Sequence, residues 1–168
     1  MSAADFPKEV PNIEGNRCFF CGTDNPTGLY MKFFSDGEKV FSSLTIPEYL
    51  SGWNNIAHGG IVSAILDEVM CWTVSHFHKK LVLTKSLKVD FIKPVMTGVE
   101  IRAEGKVHET VNKNEIVMKG FLYSGKNELL AQSTGRLAMF TIDQAKHLKF
   151  LDKNSLNEAE MMFNKGGD

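Results

Sequence analysis

His58-Gly59-Gly60-Ile61-Val62-Ser63-Ala64-Ile65-Leu66-Asp67-Glu68-Val69-Met70 is the stretch of sequence that decides how this chain folds. The segment from Gly60 to about Phe77 is apolar nearly all round, which predicts a central helix covered by the rest of the protein. One acidic pair, Asp67 and Glu68, interrupts it. Because removing a carboxylate from water is costly unless the group is paired or functional, the pair indicates a functional site on this helix.

The diglycine that opens the helix supplies the second half of such a site. Glycine lets the backbone turn closely, and the first N–H groups of a helix have no intrahelical acceptor and lie at the positive end of its dipole. Donors of this kind stabilise an anion that forms on a carbonyl oxygen. Together with a desolvated acid, they indicate acyl chemistry.

Segments on both sides of the helix alternate between apolar and polar residues, as strands do. Two strands are predicted before it, at 29–34 and 39–46, around the Asp36-Gly37 turn. Residues 47–57 are irregular. Four strands are predicted after the helix, at 83–92, 100–110, 115–123 and 128–142.

This order of elements predicts an α+β fold in which one curled antiparallel sheet of five to six strands wraps around the long central helix. Residues 1–16 lack periodicity and are interpreted as an extended N-terminal arm. Residues 17–142 form the domain, and residues 143–168 form a helical tail with a frayed Gly-Gly-Asp end.

Composition excludes several classes of function. The 168 residues are 43% hydrophobic and carry a net charge of −1, which argues against nucleic acid or an anionic membrane as a partner. The first residues have no apolar core, and no run approaches a membrane span. Three cysteines are an odd number for a disulfide framework. We therefore expect a cytoplasmic protein with reduced thiols.

The layout resembles the hotdog fold, and three motifs carry the likeness. His58-Gly59-Gly60 followed by Asp67 resembles the phenylacetate-type (PaaI-like) branch of the hotdog thioesterases. The leader Cys18-Phe-Phe-Cys21-Gly22 with Asn25-Pro26-Thr27-Gly28-Leu29 is similar to one found in bacterial members and some mitochondrial relatives. Thr84-Lys-Ser86-Leu-Lys-Val-Asp-Phe91-Ile-Lys-Pro94 is similar to the strand after the helix. The resemblance covers residues 17 to 142.

The resemblance implies an acyl-CoA thioesterase that hydrolyses its substrate with water and needs no cofactor. Asp67 would be the general base or the nucleophile. The Gly59 N–H, in the turn that Gly60 completes, would bind the thioester oxygen, and His58 would orient the carbonyl. Without the resemblance, His58 is a turn histidine that caps the helix.

Two further residue choices follow from the same likeness. Thr84 or Ser86 would hold the attacking water, and their even spacing places both hydroxyls on the strand face away from Leu87. Glu68 is the rival acid, about 100° further round the helix than Asp67. Relatives with an asparagine or glutamine upstream of the histidine differ from this chain, which has Gly52 and Trp53 there.

The substrate contacts are open on sequence grounds. The pocket floor is predicted from four apolar residues: Ile61, Ile65, Trp72 and Phe91. Aromatic acyl groups fit the branch, and medium or long chains fit the mitochondrial relatives. The candidates for the CoA phosphates are four basic residues, Lys85, Lys88, Lys93 and Arg136, and a solvated strand face is the commoner explanation of each.

The spacing of His58 and Asp67 predicts two chains. Nine helical residues rise about 13 Å, so one copy cannot easily bring both side chains to one carbonyl. If they share a site, a second copy supplies its Asp67 through twofold symmetry. We therefore expect a homodimer with sites at the interface; the resemblance also implies the alternative of two dimers paired into a dimer of dimers.

Cys18 and Cys21 have the spacing of half a zinc site or of a redox pair. There is no second Cys-x-x-Cys, and Cys71 lies inside the apolar helix. We predict a structural turn with reduced thiols and no metal; the alternative is a metal bound with help from a histidine.

Two other functions are weighed against hydrolysis. A hotdog hydratase or dehydratase would need a run resembling Asp-x-Asn-Pro-x-His, and Asp24-Asn25-Pro26-Thr27-Gly28 lacks both the spacer and the histidine. A non-catalytic acyl-binding hotdog protein would have no use for the acid in the helix.

Overall fold

The computed structural model describes residues 7–165, so the first six residues of the predicted arm and the last three of the tail lie outside it. Its centre is the helix α1, Gly59–His78, which extends one residue beyond the prediction at each end. His58 precedes α1 and its side chain caps the first turn, and Lys79 follows the last turn in the left-handed conformation (φ 50°). The side chains of Ile65, Leu66 and Met70 are completely buried.

Nine strands accompany this helix among the described residues. They are β1 (Lys8–Glu9), β2 (Phe34–Ser35), β3 (Val40–Thr45), β4 (Ser51–Trp53), β5 (Ile56–Ala57), β6 (Leu81–Phe91), β7 (Glu100–Asn112), β8 (Glu115–Ser124) and β9 (Leu129–Phe140).

Seven of these strands form one sheet in the order β1-β2-β3-β7-β8-β9-β6, and each neighbouring pair is antiparallel. β4 and β5 form a separate hairpin. α1 packs against β3, β6, β7, β8 and β9. The predicted hotdog arrangement is therefore confirmed, with one sheet strand more than expected, because β1 is too short to leave a pattern in the sequence.

The strand predicted at residues 29–34 is wrong over most of its length. Ladder pairing begins only at Phe34. The preceding residues bond individually to other segments: the Leu29 and Met31 N–H groups donate to the carbonyls of Phe19 and Phe20. Pairing with the leader thus replaces a regular ladder here.

Glycines on the central strands let α1 approach the sheet closely. Gly105 on β7 pairs with Gly120 on β8. A Cβ at Gly105 would lie 2.2 Å from the Thr73 Oγ1 of α1, and one at Gly120 would lie 3.3 Å from the Leu66 Cδ2 and the Leu66 carbonyl oxygen of α1. Because any larger side chain would push the helix outwards, these glycines set the depth at which α1 is held.

Two helices follow the sheet. α2 (Ile142–Leu148) begins with a capping box between Thr141 and Gln144, and α3 (Lys153–Lys165) buries Leu156 and Ala159. Within residues 7–165, every helix is too short or too polar to cross a membrane.

Candidate active site

Asp67 lies midway along α1 and is held by a residue of β6. The Thr84 Oγ1 donates a hydrogen bond to the Asp67 Oδ1 at 2.8 Å. Burial raises the pKa of Asp67 above its ordinary value, and the Thr84 hydrogen bond partly opposes that rise. The Cys71 Sγ, one turn further along α1, is 3.7 Å from the same hydroxyl oxygen. The arrangement is an oriented, partly desolvated carboxylate.

Thr84 and Ser86 do not share a face of β6, so the equal-parity prediction is wrong. Thr84 pairs with Leu137 and Ser86 with Arg136, which leaves Lys85 as an extra residue in a β-bulge. Because of this extra residue, the side chains of Thr84 and Ser86 point to opposite faces of the strand. Both residues are exposed, but Thr84 contacts Asp67 of α1, whereas Ser86 lies beside Arg136 in the ladder.

The start of α1 places the other candidate residues. Among the described residues, the Gly59 N–H has no acceptor, whereas the Gly60 N–H donates to the His58 Nδ1 at 3.0 Å. The Gly60 donor, expected to be bare, is therefore occupied. Because Nδ1 accepts this bond, a neutral His58 ring carries its proton on Nε2. Gly52 packs against the same ring: a Cβ there would lie 3.4 Å from the His58 Cδ2.

A cleft of about 320 Å³ opens beside Gly59 and is lined by Val62, Phe91 and Lys93, among others. The Phe91 Cζ would lie 3.4 Å from a Cβ at Gly59. The cleft is therefore lined both by Gly59, whose N–H is free within residues 7–165, and by apolar side chains.

The cleft differs from the predicted pocket floor. Phe91 lines it, whereas Ile61 and Ile65 are not among its lining residues within 7–165. Ile65 is completely buried in the core, and Trp72 stacks on Phe33 with ring centroids 4.6 Å apart. The sequence did not indicate Val62, which continues the helix face from Gly59.

Glu68 lies on a different side of α1 from Asp67. The Trp72 Nε1 donates to the Glu68 Oε1 at 3.0 Å, and the Cys18 Sγ is 3.7 Å from the same oxygen. Burial and the nearby Cys18 raise the pKa of Glu68 to about 7. A hydrogen bond between the two cysteines lowers the pKa of Cys18 to about 5 and, with burial, raises that of Cys21. The side chain of Glu68, the rival acid, therefore contacts the leader and not Thr84.

The basic residues proposed for phosphate binding all have acidic partners. Lys85 and Arg136 both pair with Glu115. The remaining pairs are Lys88 with Asp90 and Lys93 with Glu128. Exposed pairs of this kind contribute little and exchange readily. The position of Lys93 in the cleft distinguishes it from the other three.

The Asn25 segment serves as a turn. The Asn25 Oδ1 accepts hydrogen bonds from the Thr27 N–H at 3.1 Å and from the Thr27 hydroxyl at 3.0 Å. This Asx turn explains the Asn-Pro-Thr-Gly sequence without a catalytic role.

The sequence matches the model of the Thioesterase superfamily over residues 54–131. This range contains His58, Gly59, Asp67 and Thr84. A search among curated proteins gave no match.

Solved structures with a similar fold include three bacterial proteins. The BH2602 protein from Bacillus halodurans, solved with CoA, is 26% identical over 67% of this chain and 74% of its own, with a TM-score of 0.59. The PaaI protein from the phenylacetic acid degradation operon of E. coli is 16% identical (67% and 81%; TM-score 0.60). A thioesterase from Haemophilus influenzae is also 16% identical (72% and 85%; TM-score 0.63).

Proposed function

We propose that this chain, a hotdog-fold protein of the thioesterase superfamily, hydrolyses an acyl- or aryl-CoA thioester to the free acid and CoA. The observation that carries the proposal is the partly desolvated Asp67 carboxylate, which Thr84 orients at 2.8 Å. A CoA complex of the Bacillus halodurans protein supports the class of substrate.

The chemistry assigned to Asp67 is activation of water. As general base, its carboxylate takes a proton from a water held at the Thr84 hydroxyl, and the oxygen of that water attacks the thioester carbonyl. When the tetrahedral intermediate collapses, the carbon–sulfur bond breaks, and the proton on Asp67 passes to the departing CoA thiolate. As nucleophile, Asp67 would instead form an anhydride that water then hydrolyses. A raised pKa fits both roles, because it makes the carboxylate more basic.

The start of α1 would receive the carbonyl oxygen. The Gly59 N–H lies at the positive end of the helix, where a donor stabilises a forming oxyanion. The Nε2 proton of His58 is the second donor. Capping the helix through Nδ1 and binding the carbonyl through Nε2 are compatible, since the two nitrogens face opposite ways.

Two copies of the chain complete each site in this proposal. About 13 Å of helix separates His58 from Asp67 within one copy. We therefore propose that the Asp67 of one copy lies beside the start of α1 in its partner. Two features of the described residues support a homodimer. β6 is the long edge strand of the sheet, and Leu83, Phe91 and Ile92 on or next to it are 47–56% exposed. A paired edge would cover both the open backbone groups and these apolar side chains.

For the CoA phosphates we propose Lys93, because it lines the cleft beside Gly59 and its partner Glu128 is itself exposed. An anionic phosphate could displace that carboxylate at small cost. For the compartment we propose the cytoplasm, because Cys18, Cys21 and Cys71 are free thiols.

The test is a panel of aryl-, short-, medium- and long-chain acyl-CoA incubated with the purified protein and a thiol reagent. Hydrolysis releases the CoA thiol and produces colour. A hydratase would change the acyl group without releasing thiol, and an acyl-binding protein would bind without turnover; either result overturns the proposal. Light scattering of the same sample gives the number of chains, and an active monomer would contradict the shared site.

A further inference from the structure

We propose that Cys18, Cys21 and Glu68 bind a zinc ion that joins the leader to α1. Among the described residues, one ligand atom from each of the three side chains lies within 4.8 Å of the others. The proposal concerns the side of α1 that carries Glu68, about 100° from the side that carries Asp67, and it does not depend on the reaction at Asp67.

The distances suit tetrahedral zinc. Zinc binds thiolate sulfur at about 2.3 Å and carboxylate oxygen at about 2.1 Å, so a sulfur and an oxygen on one ion lie about 3.6 Å apart. The Cys18 Sγ and the Glu68 Oε1 are 3.7 Å apart. The third ligand atom, the Cys21 Sγ, needs at most a shift of about 1 Å, because two sulfurs on one zinc lie about 3.8 Å apart.

Each proposed ligand is held by a donor of its own. The Phe20 N–H donates to the Cys18 Sγ at 3.4 Å, and the Asn16 Nδ2 donates to the Cys21 Sγ at 3.6 Å. On the third ligand, the Trp72 Nε1 donates to the Glu68 Oε1 at 3.0 Å. Donors to the ligating atoms are what orients and tunes the ligands of a metal site.

The leader backbone is also shaped around the two cysteines. The Gly22 N–H donates to the Cys18 carbonyl at 2.9 Å, which closes the Cys-x-x-Cys turn. A Cβ at Gly22 would lie 2.4 Å from that carbonyl oxygen. The turn therefore requires glycine directly after the second cysteine. The two thiols are held side by side by a fixed loop.

Charge supplies an independent reason for a cation. Glu68 takes part in none of the salt bridges among residues 7–165. A carboxylate and two thiols packed together are costly to ionise without a positive partner, and a divalent ion supplies one. A cavity of about 270 Å³ reaches Cys21 and is also lined by Asn12 and Phe33.

The resulting link would stabilise the fold. Cys18 and Cys21 precede the first long strand, whereas Glu68 lies on the central helix, so one ion closes a loop of about 50 residues. The sequence pointed only to a histidine as the third ligand, because no spacing connects Glu68 with the leader.

The experiment measures metal in protein purified without a histidine tag or chelator. We expect roughly one zinc per chain by mass spectrometry. Exchange for cobalt should give the intense visible bands of a tetrahedral ion and a thiolate charge-transfer band in the near ultraviolet. Chelation should lower the melting temperature by about 5–10 °C, the shift expected for a site bound at about 100 times its dissociation constant.

Matched variants assign the ligands. Glu68→Gln, Cys18→Ser and Cys21→Ser should each weaken cobalt binding by more than about 100-fold, since losing a ligand exceeds the roughly 10–100-fold cost of losing an outer partner. Asp67→Asn and Cys71→Ala should keep the metal. If a cysteine variant does not fold, Glu68→Gln still decides the question, because its amide keeps the shape and the Trp72 bond.

Three outcomes overturn the proposal. The first is wild-type protein that lacks metal and gives no cobalt thiolate band on titration. The second is a Cys18–Cys21 disulfide, detected as a mass lower by two hydrogens in protein kept under reducing conditions. The third is equal loss of metal in Asp67→Asn and Glu68→Gln, which would mean that the ion binds elsewhere.

Discussion

Asp67 and Glu68 are neighbours in sequence, yet they lie in two different regions of the molecule. Asp67 accepts a hydrogen bond from Thr84 on the edge strand β6. Glu68 contacts Trp72 and the leader cysteine Cys18. Both carboxylates are desolvated, and burial is the largest cause of the rise in each pKa.

The two acids lie on the same helix and are both desolvated, so the side chains that contact them, and not their burial, distinguish their roles. One residue along α1 turns a side chain by about 100°. Because of this rotation, Asp67 contacts the hydroxyl of Thr84, whereas Glu68 lies near the thiols of Cys18 and Cys21. Asp67 has a partner that can also hold a water, as hydrolysis requires. Glu68 has partners that suit a metal. The predictions below test this division.

Asp67→Asn should have the largest effect on turnover. The amide cannot take a proton or attack a carbonyl, so kcat should fall on the order of 10²–10⁴-fold. Because burial penalises an ionised carboxylate, the neutral amide should leave the fold at least as stable. Thiol release from acyl-CoA measures the rate, and light scattering and thermal melting serve as controls. An intact dimer with near-wild-type turnover would contradict the assignment of Asp67.

Gly59→Pro should lower kcat by about 10²–10³-fold, the cost of losing one oxyanion donor. Proline removes the N–H but suits the first position of a helix, and His58 already has the extended conformation that precedes proline (φ −61°, ψ 135°). Gly59→Ala is the matched control, because it adds a Cβ against Phe91 but keeps the N–H. Equal losses in the two variants would point to crowding of the cleft and against the donor role.

The sequence predicted the elements better than it predicted their contacts. The long helix was visible because almost all of its 20 residues are apolar, and the four long strands after it were visible because 10 to 13 residues in each give room for alternation. β1 and β2 have two residues each, too few for any period. β1 pairs with β2 through contacts distant in the chain (Lys8 with Ser35), whereas β2 pairs with β3 across the short turn at Asp36-Gly37.

For the site, predictions from local residue spacing were wrong where the backbone is irregular. The bulge at Lys85 moved Ser86 away from Thr84, and a bulge has no signature in simple alternation. The approach of Cys18 to Glu68 spans 50 residues, so no local pattern carries it. Gly105 and Gly120 could have indicated the path of the helix, had their cross-strand pairing been known.

Thr84→Val should have an intermediate effect that depends on pH. The Thr84 hydrogen bond lowers the pKa of Asp67, so its removal should raise that pKa further. A base works when it is deprotonated. The acidic limb of the kcat/KM profile should therefore move to higher pH, and kcat/KM at a pH below that limb should fall.

Ser86→Ala is the control for Thr84→Val, because its hydroxyl lies on the outer face beside Arg136. We expect its pH profile to overlay that of the wild type. A shift in the Ser86 variant without one in the Thr84 variant would reverse the assignment of the water-holding hydroxyl.

Glu68→Gln should have the smallest effect on turnover, about twofold or less at saturating acyl-CoA, as expected for a group outside the reacting atoms. Its carboxylate accepts a hydrogen bond from the Trp72 Nε1, so replacing it with an amide should not change the contact between Thr84 and Asp67. The same variant should melt at a lower temperature if it loses the proposed ion. Measuring kcat and the melting temperature on one sample separates the two acids. A fall in kcat as large as that of Asp67→Asn would make Glu68 the acid of the reaction, and the division between the two sides of α1 would be lost.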